Sequence, residues 1–324
     1  MPTSQKIIDY ISKNRRASGK ELSNYLSGIT PRAVRKQLKN LLDKGLVRKI
    51  GHPPKVYYLL KTDKKTLASL KIDKKTQDII NARYLFISPK GESKPGWDGF
   101  KTWCEKTKQD PIKTAEDYIA TIKKFDRFRK NNLIDGMPKM KNTFKDVFLD
   151  KLFYLDFYSI ERFGKTKLGQ MLLYAKQSQS IPLIHNLINE VRAQIISIIN
   201  SYKIDGVLFI PPTVKREVQF MKELEKQLRL PVRTLSVSKI KTDIIVPQKT
   251  LSKLADRIEN AKHTIIVDDT KRYKNILLID DAVGSGSTLN ETAMQIKNRN
   301  LLSGKILGLA ITGSFKGFDV ISEV

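Results

Sequence analysis

Two adjacent carboxylates, Asp280 and Asp281, are the residues of this chain best placed to do chemistry. They follow a short apolar run, residues 276–279, which is typical of a strand buried on both faces of a parallel sheet. Open α/β sheets bind ligands at the carboxyl ends of their strands, where carboxylates can accept hydrogen bonds from the hydroxyl groups of a ligand. The sequence therefore predicts a ligand site at this strand end.

A turn rich in glycine and serine follows the two carboxylates and leads into a predicted helix. The turn contains Gly284, Ser285, Gly286, Ser287 and Thr288. Glycines let backbone N–H groups approach an oxyanion closely, and a helix N-terminus favours a phosphate. A P-loop would have a lysine after its last glycine, and a dinucleotide-binding loop would have a third glycine where Leu289 stands. The turn therefore predicts a phosphate site of another kind.

The order of these features resembles the phosphoribosyl pyrophosphate (PRPP) loop of type I phosphoribosyltransferases. The resemblance implies that Asp280 and Asp281 hold the ribose hydroxyls and serve catalysis, that residues 284–288 cradle the 5′-phosphate, and that Mg²⁺ enters with PRPP. Gly284 departs from the family pattern, in which threonine is common, and the change removes a hydroxyl but keeps the amide. An ordinary strand-to-helix turn with aspartate caps is the alternative interpretation.

The chain contains a second apolar run that ends in paired aspartates, Asp268 and Asp269. A polar run without glycine follows this pair, in contrast to the turn after Asp281. The pattern predicts a hairpin turn there and no ligand site.

Two further segments precede the PRPP-like loop. In the first, a strand ends in two prolines and then presents Lys215 and Arg216. The second contains Gln248, Leu251, Arg257 and Asn260. With the loop, and in this order, they resemble the competence protein F (ComF) family of phosphoribosyltransferase-like proteins over residues 154–313. The resemblance implies that Lys215 and Arg216 bind the pyrophosphate of PRPP. The second segment is one residue longer than is usual in that family, and the cysteine-rich zinc module of many relatives is absent from this sequence.

The first 60 residues predict three helices followed by a β-hairpin. Ser18 and Glu21 have the spacing of a capping box, and Pro31 follows a threonine at the predicted start of the third helix. That helix has an apolar stripe on one face and a basic face opposite. The residues expected to contact DNA are Arg32, Arg35, Lys36 and Lys39 of the third helix and Lys55 of the hairpin tip. The pattern resembles a winged helix-turn-helix domain, which implies duplex DNA binding through residues 1–60. A winged helix used for protein contact or dimerisation is the alternative.

The composition supports a polyanion as a partner. The 324 residues have a formal net charge of +27, and the density of positive charge is highest in the first 60 residues. Cys104 is the only cysteine, so no intrachain disulfide forms, and we expect a buried, structural thiol. No apolar run reaches the length of a membrane span, so we expect no membrane contact and a cytoplasmic location.

The predicted fold class is α/β: a mostly parallel, type I phosphoribosyltransferase-like sheet flanked by helices, with an N-terminal winged helix domain and a helical middle segment. The predicted boundaries are 1–62, 63–153 and 154–324. Helices are expected at 99–108, 114–129 and 143–150 in the middle segment, with Trp97, Phe100 and Trp103 in its core rather than as a base-stacking platform.

Three functions fit this sequence. The first is a PRPP-dependent phosphoribosyltransferase whose basic N-terminal domain keeps it at DNA. The second is a transcription regulator that senses PRPP without turnover, and the third is a DNA-processing adaptor with a vestigial pocket. Both module types often dimerise, which is the one ground for a homodimer, and the sequence itself does not give the oligomeric state. No residue identifies the acceptor that would receive the phosphoribosyl group.

Overall fold

A computed structural model describes residues 2–14, 16–51, 53–60, 72–212, 214, 216–240, 244 and 246–314. These residues fall into two compact units, one up to residue 60 and one from residue 72. The chain is a mixed α/β protein, and its seven-stranded, mostly parallel sheet lies in the second unit. None of the helices in the described ranges is long and apolar enough to cross a membrane.

The first unit consists of helices packed on a small antiparallel sheet with the strand order β1-β3-β2. Its elements are α1 (Thr3–Asn14), β1 (Ala17–Ser18), α2 (Gly19–Tyr25), α3 (Pro31–Asp43), β2 (Val47–Ile50) and β3 (Tyr57–Leu60). The predicted helix starts are confirmed: Glu21 N donates to Ser18 Oγ at 3.2 Å, and Ser18 N donates to Glu21 Oε2 at 2.6 Å. Ile7, Ile11 and Val34 are among the fully buried residues that hold the helices against the sheet.

The second unit begins with a helical region rich in aromatic side chains. Its elements are α4 (Lys74–Arg83), β4 (Leu85–Ile87), β5 (Ser93–Pro95), α5 (Gly96–Lys106), α6 (Pro111–Asp126), β6 (Arg129–Lys130), β7 (Leu133–Asp135) and α7 (Met137–Thr143). Phe100 is fully buried, and its ring contacts those of Trp97 and Trp103, so the prediction of an aromatic core is confirmed. Cys104 is also fully buried, as expected, and burial raises the pKa of its thiol to about 12.

The expected helix over residues 143–150 is wrong, because α7 ends at Thr143 and no helix follows before β8. The backbone of this segment is held by a distant side chain instead. Asn290 is buried; its Oδ1 accepts from Phe148 N at 2.9 Å, and its Nδ2 donates to Asp146 O at 2.9 Å. These tertiary hydrogen bonds replace the helical ones, and local propensity does not reveal them.

The remainder of the second unit alternates strands and helices. Its elements are β8 (Lys151–Phe157), α8 (Lys167–Ser178), α9 (Ile181–Ser201), β9 (Gly206–Phe209), α10 (Phe220–Leu228), β10 (Arg233–Thr234), β11 (Val237–Lys239), α11 (Leu254–Thr264), β12 (Ile265–Val267), β13 (Ile276–Val283), α12 (Ser287–Asn298) and β14 (Ile306–Gly313). Short 3₁₀ turns occur at Glu161–Phe163 and Gln248–Thr250.

The main sheet has the strand order β10-β9-β13-β14-β8-β7-β6. The first five strands are parallel, and the middle region adds β7 and β6 antiparallel beyond β8. One face carries an apolar core against α8, α9 and α10, in which Leu277, Ile279 and Val191 are fully buried. On the other face Leu289 of α12 lies close to Gly308 of β14. The sheet therefore carries helices on both faces.

The hairpin predicted around Asp268 and Asp269 is wrong. β12 pairs with β11 in a separate two-stranded antiparallel sheet, with Val237 opposite Val267. The carboxylate of Asp269 is buried and accepts hydrogen bonds from Ser236 N at 3.0 Å and from the Tyr273 hydroxyl at 3.1 Å. This second aspartate pair thus serves structure, as expected, although it joins different strands.

Candidate active site at the carboxyl edge of the sheet

The paired carboxylates lie near the end of β13, inside the strand rather than after it. Because side chains alternate along a strand, Asp281 faces the same side as Leu277 and Ile279, towards α8, and Asp280 faces the opposite side. Asp281 forms an ion pair with Lys176 Nζ of α8, and its N–H donates to Asp280 Oδ1 at 2.8 Å. A ligand that touches both carboxylates must lie over the end of the strand.

The pKa of Asp280 is raised to about 7. Burial is the main cause, and the neighbouring charge of Asp281 adds to it, whereas Lys176 and Lys239 act in the opposite direction. Burial also lowers the pKa of Lys239 in β11, against the opposing effect of Asp280. The site therefore holds two carboxylates and two lysines in a part-buried cluster, where a change of ligand charge shifts protonation.

The predicted phosphate turn leads directly into α12. Gly286 is the residue before the helix and has φ of +88°, a left-handed conformation that favours glycine. A Cβ at this position would collide with Met140 Sδ of α7. Ser285 and Ser287 are buried, and their hydroxyl oxygens lie 2.8 Å apart.

The N-cap residue of this 12-residue helix, Gly286, has no side chain that could cap it, and Ser285 Oγ accepts a hydrogen bond from Ser287 N at 3.3 Å. The first N–H groups of an α-helix have no partner within the helix, and its dipole favours an anion at this end. Gly284 and Thr288 are part-buried on either side of the serines. Residues 284–288 therefore form one turn at the helix start, as the sequence predicts.

Arg257 belongs to the site, although the sequence analysis placed it only in the segment with Gln248 and Asn260 and gave it no ligand. Its guanidinium lies beside the turn, since a Cβ built on Gly284 would be 3.3 Å from Arg257 Nη1. The side chain is almost fully buried, and Nε donates to Leu251 O at 2.7 Å. Burial lowers its pKa, although a guanidinium stays protonated at neutral pH. Its buried positive charge supports an anion site at the turn.

The other residues of that segment hold Arg257 in position. Gln248 Nε2 donates to Arg257 O at 2.9 Å and to Asn260 Oδ1 at 3.0 Å, and Asn260 Nδ2 donates to Val246 O at 3.4 Å. The spacing of glutamine, arginine and asparagine in the sequence was the signal that linked these residues. It did not show that Arg257 lies beside Gly284.

Arg216 forms hydrogen bonds with α8, the helix that carries Lys176. Its Nη1 donates to the backbone carbonyl of Lys176, the residue whose side chain pairs with Asp281. Lys215, the other expected pyrophosphate ligand, lies outside the described residues. Lys176 was not expected from the sequence, because it stands 105 positions from Asp281 in an unremarkable helix.

The carboxylate pair suits Mg²⁺ that enters with a phosphorylated ligand. Mg²⁺ is usually held by one or two carboxylates together with substrate phosphates and water, rather than by a protein cage. Within the described part of the chain, no group of three or more metal-ligating side chains occurs. A metal ion that enters with a phosphorylated ligand would need few protein ligands, and Asp280 and Asp281 are the carboxylates at this strand end that could supply them.

The expected DNA-contacting residues lie in the first unit. Arg32, Arg35, Lys36 and Lys39 are all exposed on α3, opposite the buried Val34, Leu38 and Leu41. Lys55 is exposed between β2 and β3. None of the five forms an ion pair with a residue that the structure describes. The four residues of α3 form a cationic face of that helix.

Comparison of the sequence with protein-family models gives no match, and no curated protein matches it. The chemistry of the site is therefore argued from its own residues.

Proposed function

We propose that this protein is a ComF-like type I phosphoribosyltransferase that binds PRPP with Mg²⁺ at the end of β13 and binds duplex DNA through an N-terminal winged helix domain. One observation carries the proposal: paired carboxylates lie near the carboxyl end of a central parallel strand, and a glycine turn beside a buried arginine follows them and opens a helix. This arrangement suits a sugar that carries a phosphate at its 5′ position and a second anionic group on its anomeric carbon.

The mechanism requires positioning and charge stabilisation from the protein. Asp280 and Asp281 accept hydrogen bonds from the two ribose hydroxyls, and the N–H groups of residues 284–288 bind the 5′-phosphate. The carboxylates also stabilise positive charge that develops on the sugar ring as pyrophosphate leaves. Mg²⁺ would neutralise part of the charge of the pyrophosphate.

Lys176 has a defined part in this proposal. Its ammonium neutralises Asp281 in the ligand-free protein, and its backbone carbonyl accepts from Arg216. When a ribose hydroxyl donates a hydrogen bond to the Asp281 carboxylate, the Lys176 ammonium becomes available to bind the leaving pyrophosphate. We expect Arg216 and Lys215 to bind the same group. The pyrophosphate would thus meet the ammonium of Lys176 and the guanidinium of Arg216.

The carboxylate pair is tested by isothermal titration calorimetry with PRPP and Mg²⁺. We expect Asp280→Asn with Asp281→Asn to weaken PRPP binding at least 100-fold, since two charge-assisted hydrogen bonds are each worth about 1.5–3 kcal/mol. The matched control is Asp268→Asn with Asp269→Asn, which we expect to lower stability and to leave PRPP affinity unchanged. Unchanged affinity in the folded Asp280/Asp281 variant would show that the pair is structural.

Turnover is measured separately as Mg²⁺-dependent release of pyrophosphate from PRPP in the presence of a panel of nucleobases. Release that requires a base identifies an enzyme and its acceptor class. Tight PRPP binding without release would make the protein a sensor of PRPP instead.

The DNA-binding part of the proposal is supported by the exposed cations of α3, which the core of the first unit leaves free to contact phosphates. If about five to seven phosphates are neutralised, the logarithm of affinity falls against the logarithm of salt concentration with a slope of about −5 to −6. Replacing Arg32, Arg35, Lys36 and Lys39 with glutamine in the full-length protein is expected to reduce this slope by about 3–4.

A matched variant controls for the general positive charge of the protein. It replaces four exposed lysines of the second unit with glutamine, namely Lys90, Lys106, Lys113 and Lys123. Both variants lose the same charge, so a specific role of α3 predicts that only the first loses affinity. Equal losses would show diffuse binding, and the first unit would then be better explained as a protein-contact module.

A further inference from the structure

A cavity of about 270 Å³ lies in the second unit, between the aromatic helical region and the β8 end of the sheet. Its lining comes from α4, α6, β6, β8, α8 and α9. Asp156 of β8 lines it and stands opposite Thr312 of β14, which in turn stands opposite Ala282 of β13. Adjacent strands are ~4.8 Å apart, so Asp156 lies about 10 Å from the carboxylate pair across the sheet. The cavity is therefore distinct from the candidate active site at Asp280 and Asp281.

The charged groups of the cavity are already paired with one another. Asp126 Oδ1 lies 2.5 Å from Arg83 Nη1 and 3.2 Å from Arg129 Nε, and Arg129 Nη2 pairs with Asp156. On another wall Lys167 Nζ lies 2.7 Å from Glu190 Oε1. Three cations are thus balanced by three carboxylates. A phosphate would meet no net positive charge there, so the cavity is better matched to an uncharged ligand.

The lining also includes aromatic residues and a glutamine amide. Tyr118, Phe125 and Phe157 supply aromatic rings. The half-buried side chain of Gln194 makes no hydrogen bond to any residue that the structure describes. An amide presents one donor and one acceptor side by side, the pattern that pairs with the edge of a nucleobase. Bases are generally held by such contacts together with apolar or aromatic faces.

Asp156 and Arg129 add directed polar groups to this wall. Asp156 Oδ1 accepts from Phe157 N at 2.8 Å, and Arg129 Nη1 donates to Leu155 O at 2.8 Å, so both side chains are held in place. Burial raises the pKa of Asp156, in spite of its pairing with Arg129. The volume is just below the range of pockets for drug-sized ligands, which begins at about 300 Å³, and so fits a smaller molecule.

We propose that this cavity is a binding site for an uncharged, planar heterocycle of nucleobase size, held by the Gln194 amide and by aromatic walls, and separate from the carboxylate pair of β13. The proposal does not depend on PRPP binding. A free base and the base of a nucleoside share this chemistry.

The test is calorimetry of the full-length protein with adenine, hypoxanthine, cytosine and uracil, and with their nucleosides to separate the two sources. We expect saturable binding of at least one base. Gln194→Leu should weaken it by about five-fold or more, which is the lower limit for a bidentate amide contact to a base edge. The matched control is Gln170→Leu, since Gln170 is also half-buried and does not line the cavity.

Thermal unfolding of each variant establishes that it is folded. Asp280→Asn with Asp281→Asn should bind the base as the wild type does, even if it no longer binds PRPP. No saturable binding to the wild type, equal losses in the two glutamine variants, or loss in the Asp280/Asp281 variant would each overturn the proposal.

Discussion

We expect the free energy of unfolding of Asp280→Asn, compared with that of the wild type, to increase as pH rises from 5 to 8 in the absence of ligand. The pKa of this carboxyl is raised to about 7 by burial and by the adjacent Asp281, whereas an aspartate in an unfolded chain has a pKa of about 3.9. Between these two values the folded protein keeps a proton that the unfolded chain has released. The free energy of unfolding of the wild type therefore falls as pH rises through this window.

The size of this effect follows from the two pKa values. Integrated from pH 5 to pH 8, the loss at Asp280 amounts to about 2–3 kcal/mol. Asparagine cannot ionise, so Asp280→Asn lacks this contribution and all other groups titrate in both proteins. The absolute stability of the variant does not enter the comparison, because only the change with pH in the difference between the two proteins is used.

The assay is urea unfolding of both proteins at pH 5, 6.5 and 8 in the absence of PRPP. Asp269→Asn is the matched control. Burial raises the pKa of Asp269, but hydrogen bonds from Lys271 N, Ser236 N and the Tyr273 hydroxyl outweigh burial and lower it overall. Its stabilising contribution is therefore complete above pH 4–5, and we expect a similar loss of stability at all three pH values.

Parallel pH profiles for wild type and Asp280→Asn would refute the reasoning. They would mean that the carboxyl is hydrated enough to ionise with its ordinary pKa, and that the site does not hold a protonated carboxyl near neutral pH. A wild type that gains stability relative to the variant as pH rises would refute even the direction of the shift.

Two further predictions concern the turn after β13. Gly286→Ala should reduce the free energy of unfolding by about 1–3 kcal/mol, because φ is +88° and the new methyl group collides with Met140. Urea unfolding at pH 7 measures this change, and an unchanged midpoint would show that α7 can move away. Arg257→Met should weaken PRPP binding about ten-fold or more, because it removes a buried cation beside Gly284. The control Lys123→Met, on the exposed face of α6, should leave the affinity unchanged. Equal affinities of the two variants by calorimetry would show that Arg257 takes no part in anion binding.

The sequence was sufficient wherever a local pattern determines a local structure. The capping box at Ser18 and Glu21, the apolar stripe of α3, and the succession of strand, turn and helix after residue 276 were all readable and are present. In each case the residues that interact lie within a few positions of one another. Short-range hydrogen bonds and helical periodicity are the features that sequence reasoning detects.

The remaining features depend on contacts between distant residues. Lys176 meets Asp281 only because α8 packs on the sheet, and Asn290 prevents a helix at 143–150 only because α12 faces that segment. The strands β6 and β7 have two and three residues, too few to show alternation. The pairing of β12 with β11 was missed for the same reason, since three-residue strands do not specify their partners.

The position of β8 inside the main sheet bears on how this protein can be divided. β8 pairs with β14 on one side and with β7, from the middle region, on the other. A fragment that began at residue 154 would cut β8 between Phe153 and Tyr154. It would also lack β7, so the N–H and C=O groups along that edge of β8 would be unpaired and open to pairing with another molecule. Such a fragment would tend to aggregate, whereas one that began at residue 72 would keep the sheet covered.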